Sequence, residues 1–406
     1  MVRFSSLKVF RIRFSIILVL FFSLMGSSVL SIPNSSAQEG TQIPNWIKNV
    51  AGWWANDEIS EIEFLAGIEY LINNNIISIG FTPCTAKIEN QHSSSTNLIP
   101  AWIKNNAGWW ATDQIKDDDF INGIEYLIKI QIITIDPKKI QGDVELEDVT
   151  FSPAWTFDKK DFVSVMSSFF EIYGIYGDCI ESDDGNLVWY NLLLGLNPNK
   201  MDMYNEVAVW NDSQNAVVVY PYFTNIAYTE PGFYTYYRGE CDDCTTAKFS
   251  TPAIRYNTSG MGHQALTLLG YSSITDIDID KNPNILRQFD KVIILHNEYV
   301  TRTMFDAITN HPNVLYLYPN ALYAEIEVDY VDETITLIRG HNYPEQEIIN
   351  GFDWEFDNTH PYEYDNECAN MEFYKIRNGW MTNCYPENVF LKDDHAIILL
   401  KAIKDL

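Results

Sequence analysis

The chain has 406 residues, 46% of them hydrophobic, with 27 Lys+Arg against 55 Asp+Glu and a formal charge of −28. That apolar content can build a sizeable core and excludes global disorder, and at one domain per ~100–200 residues two or three units are expected. No Lys/Arg surplus exists to displace counterions, which excludes a binder of the nucleic-acid backbone. Residues 1–37 read as a secretory signal peptide. Arg3, Lys8, Arg11 and Arg13 precede an apolar run over 14–25, and small residues end at Ser35-Ser36-Ala37. That run is too short to span ~30 Å of hydrocarbon, and no later run approaches ~20 residues, so no transmembrane span is expected after signal removal. The alternative is an uncleaved anchor over residues 14–30. Either way the protein is expected to be secreted or held at the cell surface.

Export changes the meaning of six cysteines, at 84, 179, 241, 244, 368 and 384. An even count in an oxidising compartment favours disulfides. Cys368–Cys384 closes a short segment, and Cys241-Asp-Asp-Cys244 offers a local pair. A zinc site at the latter needs a second such motif or paired histidines nearby, and the sequence has neither.

Residues 43–79 and 99–135 are tandem copies with an 80–98 linker between them, identical at 23 of 37 positions. Ile43-Pro-Asn-Trp-Ile-Lys-Asn-Val-Ala-Gly-Trp-Trp-Ala55 matches Ile99-Pro-Ala-Trp-Ile-Lys-Asn-Asn-Ala-Gly-Trp-Trp-Ala111. Gly67-Ile-Glu-Tyr-Leu-Ile72 matches Gly123-Ile-Glu-Tyr-Leu-Ile128. Each copy reads as helix, turn, helix and a short extended end. Trp46, Val50, Trp53 and Trp54 share one helical face. Ser60 with Glu63 makes a capping box for the second helix, whose inward stripe is Ile62, Leu65, Ile68, Tyr70 and Leu71. The one-sided spacing favours a small aromatic core over a sugar-stacking platform. The repeat resembles a module of exported proteins of ammonia-oxidising archaea. That resemblance implies an accessory or surface-association role and cell-envelope partners.

Residues 151–406 carry 16 Lys+Arg against 38 Asp+Glu. Residues 206–210 and 216–220 read as a hairpin, and Tyr234 to Tyr237 as a further strand. From residue 253 the pattern alternates: strand 253–256, turn 257–262, helix 263–269, strand 274–279, helix 283–289, strand 291–296, helix 301–310, strand 314–318. Two hairpins follow, at 323–339 and 371–384. Strands alternating with short helices predict a doubly wound, Rossmann-like α/β domain with added β-hairpins, preceded by the two helical repeats.

The segment Lys291-Val-Ile-Ile-Leu-His-Asn-Glu-Tyr-Val-Thr-Arg-Thr-Met-Phe-Asp-Ala-Ile308, with Val314-Leu-Tyr-Leu-Tyr-Pro-Asn-Ala-Leu-Tyr-Ala-Glu325, resembles the class I glutamine-amidotransferase-like fold. Active members use a Cys in a strand-to-helix elbow and a downstream His. No Cys lies between 245 and 367, so no position carries that nucleophile.

Ligands of open α/β sheets sit beyond the carboxyl ends of the strands. One candidate loop is 258–263, where N–H groups at a helix start could hold an anion. The other is His296-Asn297-Glu298. Ser259, His263, His296 and Glu298 are the only residues that could serve nucleophilic or acid–base chemistry if the loops meet. Asp276, Asp278 and Asp280 alternate, which on a strand puts them on one face and makes Ca2+ the cofactor to consider. The expected function is an exported, non-catalytic binder of a small ligand or envelope component. The alternative is an extracellular hydrolase of amide or glycosyl bonds.

Overall fold

A computed structural model describes residues 43, 45–74, 76–77, 99–129, 132–133, 135, 138–140, 144–147, 162–174, 179–181, 187–189, 191–212, 215–250, 258–355 and 365–406. The signal segment 1–37, the linker 80–98, the strand expected at 253–256 and most of the extended ends of the repeats lie outside the described residues. The protein is a mixed α/β protein.

Each repeat forms two helices, Asn45–Ala55 with Glu61–Asn73 and Ala101–Ala111 with Asp117–Lys129. The Ser60–Glu63 capping box closes as its spacing predicts: Glu63 N–H donates to Ser60 Oγ at 3.3 Å, and Ser60 N–H donates to Glu63 Oε2 at 3.0 Å. The buried face of the first helix is Ile47, Ala51 and Trp54, at i, i+4 and i+7. Trp54 stacks on Phe64 at 3.9 Å, and Trp110 on Phe120 at 3.8 Å. Three residues of the expected stripes are corrected. Trp53, Ile62 and Tyr70 are exposed, because the inward faces of these helices are set by Ile47, Ala51 and Trp54 and by Phe64, Leu65, Ile68, Leu71 and Ile72. Both copies contribute to one apolar cluster drawn from residues 43–135.

The central sheet has six strands: β1 Ala216–Tyr220, β2 Ser272–Thr275, β3 Lys291–Ile294, β4 Val314–Tyr316, β5 Phe373–Ile376 and β6 Gly379–Thr382. They lie in the order β2-β1-β3-β4-β6-β5, parallel except for β5, which pairs antiparallel with β6 at the edge. Val218 faces one apolar cluster together with the helices Gly260–Leu268 and Asp393–Asp405. Val217 and Val219 face the other, with Tyr222–Ala227, Asp276–Lys281 and Arg302–Thr309. Strands covered on both faces are apolar throughout, which explains the unbroken run of β1.

That run accounts for two corrections. β1 is a central parallel strand rather than a hairpin arm, and residues 206–207 before it end the helix Met201–Val207. Tyr234 to Tyr237 lie in the helix Phe233–Tyr237, not in a strand. The hairpin Ala324–Asp329 with Thr334–Arg339 forms as expected and joins Tyr299–Val300 and Thr246–Lys248 in a second sheet. Cys241–Cys244 and Cys368–Cys384 are disulfides, Cys179 is disulfide-bonded as well, and no described cysteine is free. Among the described residues no helix is long and apolar enough to cross a membrane.

Candidate functional site at the strand ends

Chain order reverses between β1 and β3, because β1 connects outward to β2 while β3 connects to β4 on the other side. The loops leaving β1 and β3 therefore diverge and leave a crevice for side chains. Buried polar residues gather there: Asn225, Ser259, Asp276, His296, Asn297, Glu298, Asn320 and Glu387. Buried Lys291 and His311 lie at the opposite end, where β3 and β4 begin.

Asp276 ties the strand ends together. It is fully buried, and its carboxylate accepts the Phe223 N–H at 2.8 Å and the Asn297 side-chain N–H at 2.6 Å. Burial outweighs these donors and pushes its pKa up to about 8. Asn297 Oδ1 accepts the Leu295 N–H at 2.9 Å, so the β3 loop is fixed from both sides.

Ser259 and His296 meet. Ser259 precedes the helix Gly260–Leu268 with φ 51°, a left-handed conformation that costs a non-glycine residue energy. Its Oγ accepts the main-chain N–H of His296 at 3.1 Å. The imidazole is placed differently: Nδ1 lies 3.4 Å from the Tyr385 hydroxyl, and Nε2 lies 3.7 Å from Glu298 Oε2. Among the described residues no hydrogen bond joins the Ser259 hydroxyl to the His296 ring, which a serine activated by a general base needs.

The helix start expected to hold an anion is filled from within. Glu387 Oε1 accepts the Met261 N–H at 2.6 Å and the Gly262 N–H at 3.4 Å, while Oε2 accepts from the Tyr318 hydroxyl. Gly262 allows this approach, since a Cβ there would stand 2.6 Å from Tyr318 Oη. Burial pushes the Glu387 pKa up to about 8.

Glu298 is enclosed by aromatic side chains. The Tyr228 hydroxyl donates to its Oε2 at 2.9 Å and accepts from Tyr234 at 2.9 Å, and His341 Nδ1 lies 3.8 Å from Oε1. Burial, then the Glu298 charge, raises the Tyr228 hydroxyl well above its ordinary value and keeps it a donor. The turn 318–322 runs beside this group, with the Leu322 N–H on Asn297 O at 2.8 Å and the Tyr323 N–H on Glu298 O at 2.9 Å. Asn320, in that turn, has no exposed surface, and among the described residues neither its amide nitrogen nor its amide oxygen has a hydrogen-bond partner.

The other expected site residues separate. His263 donates to or accepts from Ser273 Oγ at 2.8 Å, away from His296, and burial lowers its pKa to about 4. Asp276, Asp278 and Asp280 lie on the helix Asp276–Lys281 rather than along a strand, which removes the shared face. Asp278 caps its own helix through Thr275, and Asp280 accepts from Thr301 and from Tyr330 at 2.7 Å. Among the described residues no three His, Cys, Asp or Glu side chains are grouped to hold a metal ion. Glu387 and Asn320 escaped sequence reasoning, because neither belongs to a motif and each lies far along the chain from its neighbours in the site.

Fold and site together define a mixed α/β protein with buried polar groups collected where the strand order of a mainly parallel sheet reverses. The chain matches no family model, and no curated protein matches it.

Proposed function

We propose that residues 151–406 form a non-catalytic, ligand-binding domain with the glutamine-amidotransferase-like, doubly wound fold, in an exported protein held at the cell envelope by its helical repeats. The disulfides and the resemblance of the repeats to modules of exported archaeal proteins support the location. The observation that carries binding is the Asn320 amide, buried with neither its nitrogen nor its oxygen hydrogen-bonded among the described residues. Such a group costs ~1–3 kcal/mol unless a ligand or water completes it. The ligand is small and polar, with both donor and acceptor groups, and a carbohydrate or an amide fits that chemistry. The excess of Asp and Glu over Lys and Arg in residues 151–406 disfavours anionic ligands.

The left-handed backbone of Ser259 beside His296 favours a second reading, hydrolysis of amide or glycosyl bonds. Turnover of nitroanilide amides and nitrophenyl glycosides by wild type and Ser259→Ala separates the two. Binding without chemistry predicts no turnover by either protein. Turnover lost on Ser259→Ala would establish the hydrolase.

A further inference from the structure

The helices Asn45–Ala55 and Ala101–Ala111 pack on each other, and several contacts between the repeats occur twice with the roles exchanged. Lys48 pairs with Asp113, and Lys104 pairs with Asp57. Lys48 Nζ lies 5.5 Å from the Trp110 ring, and Lys104 Nζ 5.9 Å from the Trp54 ring. A Cβ on Gly52 would stand 3.2 Å from Ala111 Cβ, and one on Gly108 3.3 Å from Ala55 Cβ. Asp57 and Asp113 both take left-handed backbone, at φ 62° and 57°. Each of these residues equals its counterpart 56 positions on, so the two halves of the contact set are chemically the same. The symmetry breaks at one pair: Glu61 accepts the Ile99 N–H at 2.9 Å, while Asp117 accepts from the Trp110 indole at 2.8 Å.

Contacts that repeat with exchanged roles define an isologous interface, the kind through which two copies of one surface bind each other. We infer that a single repeat is a self-complementary dimerisation module, and that a chain presenting one unpaired repeat binds a second copy of itself through this surface. The intact protein satisfies the surface internally. Ile103, Ala107 and Trp110 lie in the core that both repeats build, so a single repeat lacks the partner that completes it. That core and the two clusters of the α/β domain share no residue, so removing one repeat leaves the domain core whole.

The test is the chain lacking residues 38–98, which keeps the second repeat and the α/β domain, measured by size-exclusion chromatography with light scattering. A dimer is expected. Gly108→Val doubles a steric conflict across the twofold and is expected to weaken that dimer at least about tenfold. Lys104→Asp and Asp113→Lys, each made in the shortened chain, place like charges together and are expected to weaken self-association. Mixing the two restores both opposite-charge pairs and should return a dimer of one chain of each kind. A shortened chain that stays monomeric, or a mixture that associates no better than its components, overturns the inference.

Discussion

The Glu387 carboxyl accepts the Met261 main-chain N–H at 2.6 Å, so the helix start nearest Ser259 is already occupied by a side chain of the protein. Free N–H groups at that position could stabilise a developing oxyanion. Here they hold a buried side chain together with the Tyr318 hydroxyl. The loops stay bound to one another, and the Asn320 amide is a buried polar group without a hydrogen bond among the described residues.

Stability is expected to fall as the pH rises. Burial pushes the Glu387 and Asp276 carboxyls up to about 8 in the folded state, from ordinary values of 4.5 and 3.8. The folded protein holds protons that the unfolded chain releases. Their contribution is therefore complete below about 4 and is lost as the pH rises toward about 8, at up to ~1.4 kcal/mol per pH unit for each group. Urea unfolding across that range measures the slope. Glu387→Gln keeps an acceptor for the Met261 N–H, removes one titration and should flatten the profile.

Asp276→Asn is expected to act differently from Glu387→Gln. Both Asp276 oxygens accept from N–H donors, so an amide NH2 must face one of them. A loss of ~1–3 kcal/mol in chemical denaturation is expected at neutral pH. An unchanged midpoint would refute the bridging role given to Asp276.

The tryptophans of the repeats divide by burial. Trp54→Ala removes a side chain that is 1% exposed and should cost ~3–5 kcal/mol of repeat stability, whereas Trp53→Ala, at 39% exposed, should cost less than ~0.5 kcal/mol. Thermal unfolding followed by tryptophan fluorescence reads both. Equal losses would contradict the burial pattern.

Opening Cys368–Cys384 should destabilise the α/β domain by ~3 kcal/mol, because the bridge closes a 16-residue separation, while Cys241–Cys244, three residues apart, closes a much smaller loop. Paired serine substitutions compared in urea separate the two contributions.

Much of this was legible in the sequence. Duplication, the Ser60–Glu63 cap, the run beginning at Lys291 and both described disulfides are local or repeated signals. The failures have a common physical source. Asp276-Ile-Asp-Ile-Asp280 alternates like a strand, yet Thr275 caps it as a helix through the Asp278 N–H. Ala216–Tyr220 is apolar on both faces, so its pattern cannot distinguish a hairpin arm from a central parallel strand. Glu387 reaches Met261 across 126 residues, and only the folded chain brings the two together.

Binding at the strand ends is tested most directly by thermal shift of wild type and Asn320→Leu, side by side, against a panel of monosaccharides and simple amides. Leu removes the unpaired buried amide, so the variant should unfold no earlier than wild type without ligand. A ligand-dependent rise in the unfolding temperature of wild type, absent in Asn320→Leu, is the predicted result. Equal shifts in both proteins, or no shift in either across the panel, would contradict a ligand site at Asn320.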